Sequence, residues 1–159
     1  MKDTDTTELS AARRKVLIGG MALGVAGLFG GRVPVAFATV EDMQKAIDDF
    51  AGGETPGSGR INLKTPEIAE NGNTVPISVS VESPMTDDDY VESVIILADL
   101  NPRPGVATFK FSPASGKAEA STRMRLAKTQ NVVAVAKMSD GSLFMDMKNV
   151  KVTIGGCGG

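Results

Sequence analysis

The sequence has no histidine, no tryptophan and one cysteine among its 159 residues. Without histidine, a Ser-His-Asp or Cys-His catalytic pair, a His-ligated metal and a haem with an axial histidine are all excluded. A single cysteine excludes an internal disulfide, a zinc ribbon and a C-x-x-C redox pair. The sequence therefore raises the question of what this one thiol is for.

The remaining composition is that of a one-domain globular protein, with 42% hydrophobic and 23% charged residues. The formal net charge of -2 gives no basic footprint, so we expect no nucleic-acid partner. Aromatic residues make up 4% of the chain. A small domain with so few large side chains buries modest apolar area, which favours association with a partner subunit.

Residues 1–38 have the three parts of a cleavable export signal. Arg13 and Arg14 precede an uncharged, glycine-rich apolar run, and Ala36 and Ala38 form an A-x-A cleavage site. The paired arginines are typical of a twin-arginine signal. The apolar run is shorter than the roughly 20 residues that span a bilayer, so a membrane anchor is the weaker alternative. We expect an exported, periplasmic protein with no membrane attachment in its mature form.

Residues 39–60 predict a short helix followed by a glycine-rich loop. Apolar side chains recur at helical spacing from residue 40 to residue 50, and Gly52 and Gly53 follow where a helix stop is needed. Several glycines and a proline then occupy residues 51–60, which is typical of a loop.

Beyond residue 60 the apolar period changes to two, most clearly between Val75 and Val81. Glycine, asparagine and proline turn formers separate the candidate strands. Seven strands are predicted, over residues 61–64, 75–81, 93–97, 106–111, 118–126, 132–138 and 143–154. This pattern predicts an all-β fold, an immunoglobulin-like antiparallel β-sandwich over residues 61–154, without the Cys-Trp-Cys core of antibody domains.

Val94, Ile95, Ile96 and Leu97 place apolar side chains on both faces of one predicted strand. Two interpretations fit this pattern. The strand is buried on both faces by its own domain, or one face forms the interface with a partner subunit.

The chain ends in a pentapeptide, residues 155–159, made of Gly155, Gly156, Cys157, Gly158 and Gly159. Glycines give the cysteine neighbours without Cβ atoms, hence wide backbone freedom and little cover over the sulfur. No basic residue in these five positions activates the thiol. We predict a flexible arm that presents Cys157 to other proteins. A buried structural cysteine and an intermolecular disulfide are the alternatives.

At this point the sequence resembles the SoxY family, the sulfur-carrier subunit of the bacterial Sox thiosulfate-oxidising system. The resemblance covers essentially the whole chain beyond residue 38. It rests on PEIAENGNTVP at residues 66–76, NPRPGVATFKFSP at 101–113, TRMRLAKTQ at 122–130 and the terminal GGCGG.

The resemblance implies a non-catalytic periplasmic carrier paired with the SoxZ subunit, with no metal and no cofactor besides sulfur intermediates bound to Cys157. It implies that the c-type cytochrome pair SoxAX joins Cys157 oxidatively to thiosulfate. It further implies that SoxB hydrolyses the terminal sulfone to sulfate. A sulfur dehydrogenase then oxidises the remaining sulfane sulfur before a second hydrolysis.

Two functions from other classes remain open from the residues alone. A ubiquitin-like sulfur carrier would use Gly158-Gly159 as a terminal thiocarboxylate, but that chemistry uses ATP in the cytoplasm and this chain has an export signal. A structural β-sandwich would dimerise through a disulfide at Cys157.

Overall fold

The predicted helix is present as α1, Val40–Ala51, in the computed structural model, which describes residues 38–155. Thr39 caps its N-terminus in a reciprocal capping box. The Asp42 N–H donates to Thr39 Oγ1 at 3.3 Å, and the Thr39 N–H donates to Asp42 Oδ2 at 2.9 Å. Gly52 ends the helix with a φ of 67°, a left-handed conformation that glycine adopts without steric cost.

Within residues 38–155, eight strands follow the helix, and all seven predicted strands are among them. They are β1 Ile61–Lys64, β2 Ile68–Ala69, β3 Val75–Val81, β4 Val91–Ala98, β5 Gly105–Lys110, β6 Ala118–Met124, β7 Gln130–Met138 and β8 Leu143–Val152. The sequence did not predict β2, because a strand of two residues is too short to show an alternating pattern.

The strands form two sheets, one in the order β1-β3-β6 and the other in the order β2-β8-β7-β4-β5. Neighbouring strands are antiparallel, except that β2 runs parallel to the end of β8. The prediction of an all-β antiparallel sandwich with one short helix is confirmed, with this short parallel pair as an addition.

Strand β4 is buried on both faces, and its own domain buries both of them. Val94 and Ile96 point into the core between the two sheets. Ile95 and Leu97 point to the opposite face, where they pack with Met43 and other residues of α1. The structure therefore favours burial within the domain over a partner interface for this strand, because the helix covers the face that the sequence left unassigned.

Strands β6 and β8 end earlier than predicted. The prediction for β6 extended to Leu126, but the strand ends at Met124, and Leu126 is a fully buried loop residue whose N–H donates to the Gly72 carbonyl at 2.8 Å. Strand β8 ends at Val152 instead of Ile154. The two loops that follow these strands meet at one end of the sandwich.

Candidate functional site

The end of the sandwich where the chain leaves β8 is called here the exit end. It consists of the end of β2 at Ala69 and the loops at residues 70–74, 99–104 and 125–129, together with residues 153–155. Hydrogen bonds hold the chain there after β8 has ended. The Thr153 N–H donates to the Ala69 carbonyl at 3.1 Å, and its Oγ1 donates to the Glu70 carbonyl at 2.9 Å. The Gly72 N–H donates to the Ile154 carbonyl at 2.7 Å.

Gly155 lies against the loop that follows β6. An ideal Cβ built on Gly155 would overlap the carbonyl oxygen of Ala127, which is backbone and cannot rotate away. Any other residue at this position would force either the chain end or the Ala127 loop to move. The sequence predicted that the terminal glycines provide freedom and clearance. At Gly155 the structure shows a different requirement, a close approach of two backbone segments.

The Ala127 loop is itself held by two buried amide side chains, Asn101 and Gln130, which are 8% and 2% exposed. Asn101 Nδ2 donates to the Arg125 carbonyl at 2.8 Å, and Asn101 Oδ1 accepts from the Ala127 N–H at 3.1 Å. One side chain thus binds the backbone on both sides of residue 126. Buried amide groups that find partners on both their donor and acceptor atoms fix a local backbone conformation.

Gln130 completes this network. Its Nε2 donates to Asn101 Oδ1 at 2.9 Å and to the Lys128 carbonyl at 3.1 Å. Its Oε1 accepts from the Leu100 N–H at 2.9 Å. Among the described residues, every buried side-chain nitrogen and oxygen has a hydrogen-bond partner. The loops at 99–104 and 125–129 are therefore joined into one unit at the exit end.

The predicted site residues fall on both sides of the described boundary. Gly155 lies at the exit end, as described above. Ala38, the last residue of the predicted signal, is buried, and its N–H donates to the Asn101 carbonyl at 2.8 Å. The remaining predicted site residues lie outside residues 38–155, and they are Arg13, Arg14, Ala36, Gly156, Cys157, Gly158 and Gly159.

Sequence reasoning missed the part that Asn101, Ala127 and Gln130 play. All three lie in the segments 101–113 and 122–130 that carry the family resemblance. The sequence indicated a turn at Asn101-Pro102 and a strand at 118–126. It held no signal that the Asn101 side chain binds a loop more than twenty residues further along the chain.

Residues 38–155 contain no group of three His, Cys, Asp or Glu placed to hold a metal ion. No helix within them is long and apolar enough to cross a membrane. A groove of about 570 Å³ on the outer face of the β1-β3-β6 sheet is open, and its lining includes Lys64, Ser78, Ser121 and Arg123.

Local hydrogen bonds explain the shifted pKa values. The Ser142 hydroxyl and N–H both donate to Asp140 Oδ1, at 2.6 and 2.8 Å, and lower the pKa of that carboxyl. Backbone hydrogen bonding, helped by Thr39, lowers the pKa of Glu41, and the hydrogen bond to Asp49 raises the pKa of Lys45. These exposed groups stabilise a turn and a helix, so none of them requires a catalytic explanation.

A sequence profile described as "Sulfur oxidation protein SoxY" matches residues 47–157. The sulfur carrier protein SoxY from Chlorobium limicola f thiosulfatophilum is 36% identical, and the match covers 73% of this chain and all of that one, with a TM-score of 0.60. A comparison with curated protein sequences gave no match.

More distant structures share the fold alone. Superoxide reductase (neelaredoxin) from Ignicoccus hospitalis is 18% identical over 65% of this chain and 91% of that one, with a TM-score of 0.53. At this identity the likeness says how the strands are arranged and nothing about the reaction.

Proposed function

This chain belongs to the SoxY family of sulfur oxidation proteins, and from that membership we propose that it carries the intermediates of thiosulfate oxidation on Cys157. A sulfur-carrier role in sulfur oxidation, exercised together with other components of the Sox system, follows from the family itself. The proposal adds the residue of attachment, the named partners and the compartment.

The anchoring of the chain immediately before its only thiol carries the proposal. Residues 153 and 154 are hydrogen-bonded to the exit end, and Gly155 packs against the Ala127 carbonyl. Cys157 follows two residues later. Because a residue spans at most about 3.6 Å, its Cα lies within about 7 Å of the Gly155 Cα. This covalent limit supports the proposal that the sandwich presents the thiol near its exit end.

The chemistry requires a thiolate that binds the sulfur intermediates covalently and is regenerated when they are released. The Cys157 thiolate forms a bond to the sulfane sulfur of thiosulfate, and the two electrons released pass to the proposed loading partner, the c-type cytochrome pair SoxAX. Water then attacks the terminal sulfone with SoxB, which releases sulfate and leaves a persulfide on Cys157. The sulfur dehydrogenase removes six electrons as water supplies three oxygens, and a second hydrolysis releases sulfate and regenerates the thiolate.

In this scheme the carrier supplies attachment and presentation, while its partners supply the oxidants and the hydrolytic machinery. The absence of histidine from the sequence supports a non-catalytic role, since the commonest general base is missing. We further propose that the chain works as a pair with SoxZ and acts in the periplasm. The export signal predicted over residues 1–38 supports that compartment.

The test is intact-mass measurement on the full-length protein after incubation with thiosulfate and the Sox enzymes, alongside thiosulfate-dependent reduction of cytochrome c. We expect a reductant-labile addition the size of a thiosulfate group on Cys157. Cys157→Ser should lose both the addition and the reduction of cytochrome c. Turnover by Cys157→Ser at the rate of the native protein would contradict the proposal.

A relocated thiol provides the matched control. Thr108 is exposed on β5, so Cys157→Ser combined with Thr108→Cys keeps one accessible thiol but moves it off the chain end. This variant should react with small thiol reagents and still fail to support thiosulfate oxidation. A thiocarboxylate mass on Gly159 would instead indicate the ubiquitin-like mechanism, and a disulfide dimer as the sole product would indicate the structural one.

A further inference from the structure

A chain of contacts connects the interior of the exit end to the start of the predicted arm. Gln130 donates to Asn101, Asn101 binds the backbone on both sides of Leu126, and the Ala127 carbonyl meets Gly155. The Gly72 N–H also binds the Ile154 carbonyl, and the Gly72 carbonyl accepts from the Leu126 N–H. The residues before the arm thus sit on a surface that buried side chains hold in place.

We propose that Asn101 and Gln130 are positioning residues that set the working length of the arm by holding the Ala127 loop against Gly155. This inference rests on the proposed carrier function, since arm length matters only if Cys157 enters the active sites of partners. We call this attachment of residues 153–155 to the exit end the seat, and it fixes the start of the arm that the sequence predicts at Gly155.

The point at which the chain is attached limits how far Cys157 can extend from the sandwich. With Gly155 fixed, the Cα of Cys157 lies no more than about 7 Å from the Gly155 Cα, since it is two residues away. If residues 153–155 detached, the chain would be free from Val152, and the same geometry gives about 18 Å for five residues. The seated arm therefore requires each partner to bring its active site close to the exit end.

A longer arm reaches further but presents the thiol less often at any one place. Effective concentration falls roughly as the −3/2 power of linker length once the linker exceeds the span it must cover. Lengthening the free segment from two residues to five therefore lowers the local concentration of the thiol in the active site of a docked partner about fourfold. The expected cost lies in delivery to partners, with no change in the reactivity of the thiol.

The variant that tests the seat is Gln130→Met, which fills similar volume and removes the bonds to Asn101, Lys128 and Leu100. The matched control is Asn131→Ala, which removes the side-chain bonds to Asp99, the residue after β4, and to Asn149 on β8. Both variants lose polar contacts of the same kind near the same end. Only Gln130→Met releases the loop that touches Gly155.

Amide hydrogen exchange on the full-length protein tests the seat without any partner. Gln130→Met should speed exchange of the Gly72 and Thr153 N–H groups at least tenfold, because their acceptors lie in or beside the seated segment. Asn131→Ala should leave both within twofold of the native rates. Unchanged exchange in Gln130→Met would overturn the inference.

Delivery is measured as kcat/KM for conjugation of thiosulfate to Cys157 by the loading enzyme. Gln130→Met should lower it about fourfold while alkylation by iodoacetamide, a small neutral reagent, stays within twofold of the native rate. Insertion of three glycines between Gly155 and Gly156 lengthens the arm by the same amount, so it should reproduce the fourfold loss with native exchange at Thr153.

Two outcomes of the delivery experiment would overturn the inference. Equal losses of kcat/KM in Gln130→Met and Asn131→Ala would mean that general stability, and not arm length, controls delivery. Native kcat/KM in the glycine insertion would mean that length does not matter. Failure of the native protein to take up sulfur would instead reject the carrier function, and the exchange experiment would still decide whether the seat exists.

Discussion

Gly155 is required for close backbone packing, and not only for backbone flexibility. Its backbone approaches the Ala127 carbonyl so closely that a Cβ would overlap the oxygen. Gly105, by contrast, has no atom within 4 Å of the Cβ it would gain. Two glycines that look alike in the sequence therefore differ in their tolerance of a single methyl group, because one faces backbone and the other faces open space.

We predict that Gly155→Ala detaches the chain end without unfolding the sandwich. Overpacking in a closed interior typically costs about 1–3 kcal/mol, but a chain end can move away and should cost about 1 kcal/mol or less. Exchange of the Thr153 N–H should therefore accelerate while the free energy of unfolding, measured in urea, changes little.

Gly105→Ala is the control for this prediction. Neither the exchange of Thr153 nor the urea midpoint should change with it. If Gly155→Ala left the exchange rate at its native value, the chain end would have absorbed the methyl group without leaving its seat, and the close approach would have no consequence.

Helix α1 forms the third layer of the molecule at the scale of elements. Its Met43, Ile47 and Ala51 lie on one helical face and pack on the outer face of the five-stranded sheet. The opposite face carries exposed polar residues, including the ion pair between Lys45 and Asp49, which are 76% and 68% exposed at their side chains. An exposed pair of this kind adds little stability, so apolar burial holds the helix on the sheet.

We predict that Ile47→Ala lowers the free energy of unfolding by about 3 kcal/mol, the central value for removing a buried Ile side chain. Ile47 is 4% exposed and packs in the same cluster as Ile95 and Val133. Urea unfolding followed by circular dichroism measures the change. Val40→Ala, at a helix position that is 56% exposed, should change stability by no more than about 0.5 kcal/mol.

A loss of less than 1 kcal/mol in Ile47→Ala would contradict this account of the helix. It would mean that the contacts between α1 and the sheet contribute little, and that the outer faces of β4 and β7 tolerate exposure. That result would favour the alternative interpretation, in which this face of the sheet binds a partner subunit.

At the scale of the whole molecule, strands β4 and β7 link the two apolar clusters. Val94 and Val132 contribute to the cluster between the sheets, while Ile95 and Val133, their neighbours in sequence, contribute to the cluster under the helix. Adjacent residues of one strand thus belong to different layers, as the alternation of side chains requires. Neither layer can loosen without exposing the strands that support the other.

We predict that residues 38–155 unfold in a single cooperative step. The chain has one tyrosine, Tyr90, and no tryptophan, so tyrosine fluorescence reports on one place beside the sandwich core. Far-ultraviolet circular dichroism reports on the helix and sheets together. The two urea transitions should coincide within error. A dichroism transition that begins before the fluorescence transition would show that α1 detaches independently.

The sequence by itself determined the elements whose signal is local. The helix at Val40–Ala51 and seven strands follow from apolar period, and the thiol was identified because Cys157 is the only cysteine. The arm and the signal residues remain predictions, since residues 1–37 and 156–159 lie outside the described part of the chain. Composition and motif thus predicted the architecture, the family and the candidate attachment residue.

Only the tertiary structure decided which layer covers each face of β4, where β2 pairs, and how the chain is held before Cys157. Each of these depends on contacts between residues far apart in sequence, such as Asn101 with Ala127 and Ile68 with Lys151. Periodicity shows that a side chain is apolar or polar on a given face, but not what will lie opposite it. The packing of sheets and loops brings Ala127 to Gly155, and that close approach requires glycine at position 155.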